Sequence, residues 1–301
     1  MRFDAWAATF PNDYFHELRE HLRNVLGADL QLRKGGKHGY KIHEGIEIDG
    51  NCHGLVAHGG NGERFFLEVT GEHSDKWATF VHRWDLETGA KIESDETFLV
   101  LLSRADVCYD WIDPRDVVSH APTFRHHVSS QLDTRGRPPQ WDQRGDWNSP
   151  AGRERGCTLY MGSPKSQVRV RFYDKGAELR ANSGIDAPQN LRRVEVQYRP
   201  ESKADKHSAS KMPARMFWTV SPAVKAVAEY FGCSSEGGFV RVPRQQAEVE
   251  RKKDLACFQY GESIVSIFGD VLRSIKGSED LVLELALEVE RRRLRSRRKV
   301  A

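Results

Sequence analysis

Three segments of this 301-residue chain alternate apolar and polar residues with the period of a β-strand, and each sets charge on its polar side. In LLSRADVCYDW (residues 101–111), Ala105, Val107, Tyr109 and Trp111 share one face, and Arg104, Asp106, Cys108 and Asp110 share the other. In QVRVRFYDK (167–175), Val168, Val170 and Phe172 oppose Arg169, Arg171, Tyr173 and Lys175. In LRRVEVQYR (191–199), Val194, Val196 and Tyr198 oppose Arg193, Glu195, Gln197 and Arg199. A chain patterned in this way is expected to build a sheet with a greasy side under helices and a polar side rich in acids and arginines.

If the three strands are neighbours, Asp106, Asp110 and Glu195 meet Tyr173, Lys175 and the arginines on one surface. Three carboxylates suit a hard ion such as Mg²⁺ or Mn²⁺, which stabilises charge developing on a phosphoryl oxygen. A free tyrosine is only about 0.1% ionised at pH 7, so cations such as Arg171 and Lys175 are what could make Tyr173 a nucleophile. The same alternation also describes an ordinary antiparallel sheet whose outer face carries cross-strand ion pairs. Spacing alone does not make the strands adjacent.

The remaining segments indicate an α+β fold, with a central, mainly antiparallel sheet flanked by helices and a helical C-terminal region. Asn12 can cap a helix with Leu18, Leu22 and Val25 on one face and Gly27 at its end. Glycine-punctuated apolar runs from Leu30 to Gly71 read as hairpins. Ser74 can cap a second helix whose Trp77, Phe80, Val81 and Trp84 form a core stripe. Residues 135–155 are rich in Gly, Pro, Trp and Arg without a period, and read as a long loop. There Trp141 and Trp147 either stack on unpaired bases or tuck beneath the loop. Ser221 and Pro222 open a helix carrying Val224, Val227, Ala228 and Phe231, closed by Gly232. Two further helices follow, one with Ile264, Ile267, Val271 and Ile275, the other from Ser278 into an arginine tail. The expected division is an α+β domain over residues 1–206 and a helical region over 207–301.

Composition excludes several classes. No run approaches the roughly 18 apolar residues of a membrane span, and early acids argue against a secretory leader, so the cytoplasm is the expected compartment and no membrane partner is expected. The five cysteines are odd in number and scattered, which argues against a disulfide framework or a zinc site; they are expected to be reduced and mostly buried. Net charge is only +3, yet seven of the nine residues RRRLRSRRK (291–299) are cationic, a run that attracts phosphate backbones when it is not simply solvated. GKHGY (36–40) and AHGGNG (57–62) lack the lysine and hydroxyl of a P-loop, so no nucleotide hydrolysis is expected. His126 and His127, adjacent and so opposed on a strand, read as surface residues.

SRADVCYDW (103–111), TLYMGSPKSQVRVRFYDKGAE (158–178) and RRVEVQY (192–198) together resemble the replication initiation factor family of rolling-circle plasmids, filamentous phages and some conjugative elements. The resemblance extends over about 95 residues in matching order and spacing. It implies a DNA nicking-closing enzyme: a tyrosine attacks one strand at an origin, keeps the 5′ phosphate and leaves a 3′ hydroxyl primer. Tyr173 then becomes the expected nucleophile with Arg171 and Lys175 beside it, and Tyr160 its competitor. Asp106, Asp110 and Glu195 become the expected ligands of Mg²⁺ or Mn²⁺, with Asp174 turned to the other face and Glu178 able to help from the next turn. Expected DNA contacts are Arg104, Arg169, Arg193, Lys165 and, in the tail, Arg291, Arg292, Arg293 and Arg295. Origin DNA, a host helicase and polymerase, and a possible second copy are the implied partners. A conjugative relaxase, a non-catalytic DNA-binding regulator of the same fold and a hydrolytic nuclease are the rival readings. No histidine–hydrophobic–histidine triplet occurs, which separates the chain from nickases with histidine-bound metal.

Overall fold

The computed structural model describes residues 1–60, 62–89, 98–132 and 138–233, with Ala286, Val289, Glu290 and Arg292 near the C-terminus. The chain divides into two compact units, Met1–Val240 and Arg241–Ala301. The expected helix around Ile264 falls outside the described residues, and of the one expected beyond Ser278 only Ala286, Val289, Glu290 and Arg292 are described, all four helical.

The first unit is a ten-stranded antiparallel sheet. Its strands are β1 (Arg2–Pro11), β2 (Asp29–Arg33), β3 (Ile42–Ile48), β4 (Asn51–His58), β5 (Arg64–Thr70), β6 (Leu101–Ile112), β7 (Trp141–Arg144), β8 (Thr158–Met161), β9 (Val168–Tyr173) and β10 (Leu191–Tyr198). They lie in the order β2-β3-β4-β5-β1-β6-β10-β9-β8-β7. The helices are α1 (Phe15–Leu26), α2 (His73–Gly89), α3 (Val117–Gln131), α4 (Pro150–Glu154), α5 (Lys175–Ser183), α6 (Lys203–Ser210) and α7 (Pro222–Tyr230). The α+β expectation holds.

The three patterned segments are indeed β6, β9 and β10, and they are neighbours. Their apolar residues, Val107, Val170, Phe172, Val194, Val196 and Tyr198 among them, join one large core with Trp6, Trp77, Phe124, Phe217 and Trp218. Helix α2 lies on β1 and β5, α6 on β6, and α3 and α7 pack on each other. Aromatic rings tie the layers together: Phe172 meets Trp111 at 5.6 Å, Phe124 at 5.8 Å and Phe231 at 5.2 Å between centroids.

Local signals were realised unevenly. Ser221 Oγ accepts from the Val224 N–H at 3.2 Å, with Pro222 at the first helical position, as a cap-and-proline pair should. Gly27 closes α1 at φ 70°, but Asn12 does not cap it; its amide donates to the Gly62 carbonyl instead. Ser74 is buried inside α2 and donates to the Val69 carbonyl. The segment before α1 is the strand β1. The stretch read as a loop contains β7 and α4, and Trp141 and Trp147 pack against the core, Trp141 over Phe124 at 5.6 Å. His126 and His127 lie on α3, not on a strand. Among the described cysteines Cys108, Cys157 and Cys233 are buried thiols and Cys52 is exposed. The boundary expected at residue 206 falls inside α6, and residues 207–233 belong to the first unit, because α6 and α7 bury their apolar faces in the same core.

His120 on α3 is buried between Asp113, 3.1 Å from Nε2, and the Tyr230 hydroxyl, 3.2 Å from Nδ1. Burial, followed by Arg115, lowers its pKa below the ordinary value. The folded chain therefore binds this proton less readily than the unfolded chain, so the contribution of His120 to stability is complete above about pH 6.5 and is lost as pH drops below it. In chemical denaturation the stability advantage of the parent protein over His120→Gln should therefore be larger at about pH 7.5 than at about pH 5.5.

Candidate active site

Cross-strand register builds the polar face. Arg193 on β10 stands opposite Asp110 on β6 and Tyr173 on β9; Glu195 stands opposite Cys108 and Arg171; Gln197 stands opposite Asp106 and Arg169. One strand further out, Tyr160 on β8 pairs with Arg171. On the other side β1 runs beside β6, placing Ala5 against Asp106 and Ala7 against Arg104. Small residues there leave room for the long side chains of β6.

The charges pair systematically. Arg193 Nε and Nη2 grip Asp110 at 2.5 and 2.8 Å, and its Nη1 reaches Asp4 on β1 at 2.7 Å. Arg171 Nη2 bonds Glu195 at 2.6 Å and lies 3.5 Å from the Tyr173 hydroxyl, its guanidinium 4.5 Å from the ring centroid. Arg104 holds Asp106 through two nitrogens, Nε at 2.8 Å, and Gln197 Nε2 donates to both Asp106 oxygens at 3.1 and 3.2 Å. Arg104 also meets Glu68 on β5 at 3.6 Å. Lys175, first in α5, pairs with Glu178 at 2.6 Å and lies 5.8 Å from the Tyr173 ring centroid. Arg169 lies over Tyr160 at 3.9 Å.

Electrostatics shape the groups differently from what the neighbouring cations suggest. Tyr173 is 4% exposed, and burial, followed by the Glu195 charge, drives its pKa above the usual phenol range despite Arg171 and Arg193. Glu195, 3% exposed, is pushed up to about 7, chiefly by burial, with Arg171 opposing the shift and Asp106 and Asp4 adding to it. Sequence reasoning weighed the cations and could not see the desolvation, which is the larger effect.

Residues 100–234 match the replication initiation factor family. The match spans the three charged strands and the helices between and after them, so the resemblance carried by β6, β9 and β10 holds. Among solved structures the chain is similar to the rolling circle replication initiator protein from Geobacillus stearothermophilus. The two share 20% identity over 80% of this chain and 87% of that one, with a TM-score of 0.49. No curated protein matches the chain. Among the described residues, no helix is long and apolar enough to cross a membrane.

The replication initiation factor motifs gain a physical explanation. In FYDKG, Tyr173 ends β9 on the polar face, while Asp174 turns to the other side. There it meets Arg192 at 3.1 Å and accepts from the Cys157 N–H at 2.9 Å. Gly176 has no room for a side chain, because a Cβ would collide with the Pro188 carbonyl; this close approach docks α5 beside Tyr173.

Two expectations change. Asp106, Asp110 and Glu195 share the face, but each carboxylate is engaged by a guanidinium. Among the described residues no group of three acids, histidines or cysteines has metal-holding geometry. The three do not fit a divalent ion as a ready-made ligand set. Arg193, expected to contact DNA, is 3% exposed and committed to Asp4 and Asp110, so its position is structural. Arg104, Arg169 and Arg171 are partly exposed and Lys165 is exposed; Arg291, Arg293 and Arg295 lie outside the described residues. Asp4, Glu68 and Gln197 were missed as members of the site. Asp4 lies in RFDAWAATFP, whose strand is buried on both faces and shows no alternation to read.

Replacing Arg193 with Met should cost about 2–4 kcal/mol in chemical denaturation, since it takes the ion-pair partner from Asp4 and the two-pronged contact from Asp110, which keeps only Arg2 at 3.2 Å. Arg193→Lys should recover only part of this, because an ammonium cannot make the two-pronged contact.

Proposed function

We propose that this protein is a rolling-circle replication initiator that nicks one strand of an origin with Tyr173. The observation that supports it best is the convergence, on adjacent strands, of Tyr173 with Arg171, Glu195 and the Arg193–Asp110 pair, within a segment that matches the replication initiation factors.

The chemistry follows from these groups. The phenol oxygen attacks phosphorus and the bond to the 3′ oxygen breaks. A proton leaves the phenol and the departing oxygen gains one, giving a 5′-phosphotyrosine and a 3′ hydroxyl. Arg171 is the side chain best placed to bind the phosphate and the developing phenolate, being 3.5 Å from the hydroxyl. In the arrangement seen here it is bound to Glu195 and lies against the ring, while Tyr173 is sheltered and neutral. Entry of DNA has to draw Arg171 from Glu195 to the phosphate and open the tyrosine to attack. This closed state limits adventitious cleavage. Lys175, paired with Glu178 at the start of α5, is the second cation available to the phosphate.

A divalent ion, Mg²⁺ or Mn²⁺, would supply charge stabilisation on the phosphoryl oxygens. Asp106, Asp110 and Glu195 are its candidate ligands only after release from Arg104, Arg193 and Arg171. The accessible cations Arg104, Arg169 and Lys165, with Arg291, Arg292, Arg293 and Arg295, are the proposed backbone contacts, and the region after residue 206 is the proposed origin reader. Unwinding and extension fall to a host helicase and polymerase.

The test is nicking of supercoiled origin DNA. Tyr173→Phe should abolish it, by roughly 10³-fold or more, while Tyr160→Phe keeps the same end products. Nicking that survives in Tyr173→Phe and disappears in Tyr160→Phe would transfer the nucleophile to β8.

A further inference from the structure

Beyond the end of β9 the chain builds a second polar site. An open cleft of about 520 Å³ lies between α4, α5 and the turn before β10. Its floor is the ion pair of Asp174 and Arg192, both 5% exposed, and Arg153, Glu154, Arg180 and Asn190 line its sides. The floor is rigid. Arg192 is held by the carbonyls of Arg115 at 2.9 Å and Gln189 at 2.8 Å, and by Asp174 at 3.1 Å. Two glycines bring the walls together: Gly176 approaches the Pro188 carbonyl too closely for a side chain, and a Cβ on Gly156 (φ +96°) would lie 2.8 Å from Ala177.

We propose that this cleft seats a nucleobase of the nicked strand flanking the scissile phosphate, with Arg153, Arg180 and Asn190 donating to its edge and Glu154 accepting from it. The proposal rests on the nicking reading and extends it to sequence selection beside the cut.

Three features favour a base over a bare phosphate. The lining balances three guanidiniums, Arg153, Arg180 and Arg192, against three carboxylates, Asp116, Glu154 and Asp174, and such balance does not attract an anion. Base edges carry donors and acceptors together, which is what this lining complements. The volume also falls within the range of small-molecule sites, roughly 300–1,000 Å³. Position is the remaining argument. Asp174 follows Tyr173 directly, about 3.8 Å away along the backbone, and α5 serves both sites. Its Lys175 approaches the Tyr173 ring, and its Ala177 and Arg180 line the cleft. Because Asp174 faces away from Tyr173, a strand with its phosphate at Tyr173 reaches the cleft mouth by rounding the end of the sheet at α5.

The experiment has two arms, both with the full-length protein and an Arg153→Ala, Asn190→Ala double variant. Neither residue belongs to the nicking groups, and Arg153 is exposed, so folding should be kept. In the first arm the four deoxynucleoside 5′-monophosphates are titrated and followed by NMR. One should bind with Kd at or below ~1 mM, and roughly tenfold more weakly to the variant. In the second, abasic sugars are placed one at a time across the origin nick site. One position beside the cut should slow nicking roughly tenfold in the parent protein and less than about twofold in the variant. Equal binding of all four monophosphates by both proteins, or the same abasic profile in both, overturns the proposal. A Tyr173 adduct that forms normally with an unchanged abasic profile sinks the cleft alone. Failure to form any tyrosine adduct sinks the nicking reading, and the monophosphate arm then decides the cleft independently.

Discussion

Charge placed on the inside of a sheet has to be neutralised where it stands, and the pairing of Arg193 with Asp110 and Asp4 does this at the centre of the fold. One guanidinium joins β10 to β6 and β1, which are far apart in sequence, and fixes their register on the polar side. Arg171 with Glu195 repeats the device between β9 and β10, and Arg104 with Asp106 repeats it within β6. Removal of one partner from such a pair costs far more than the pair itself contributes, so the network acts mainly by excluding other registers. Hydrophobic burial on the opposite face supplies the stabilisation, and the ion pairs specify the arrangement.

The same pairing decides the chemistry. Arginines that sequence inspection reads as activators of a tyrosine are already committed to carboxylates, and burial outweighs what remains of their influence on Tyr173. The acids that look like a metal cage are committed in turn. The face is therefore a set of counter-charged groups able to exchange partners when a polyanion arrives. A phosphate competes with carboxylates for the same guanidiniums, in the same two-pronged geometry.

Much of the fold was legible because period-two alternation survives wherever one side of a strand faces the core and the other carries charge. That is why β6, β9 and β10 were readable residue by residue, down to Asp174 facing away from Tyr173. β1 was not, since a strand between two others with both faces covered shows a nearly continuous apolar run and can hide an acid such as Asp4. β7 was masked by the turn-forming residues around it, and the end of the first unit was misplaced because α6 and α7 look like a new helical region while packing into the old core. Register and desolvation are properties of the assembled sheet. No local pattern announces that Arg193 faces both Asp110 and Tyr173, or that a tyrosine flanked by cations will lie buried.

The central claim is that Tyr173 is the group joined to DNA. Incubation with a single-stranded origin oligonucleotide, digestion and tandem mass spectrometry of the nucleotide-bearing peptide test it most directly. The account expects the added mass on Tyr173 within VRFYDK, attached through a 5′ phosphate. Cleaved DNA without any modified peptide, or a modification confined to another residue, would contradict it.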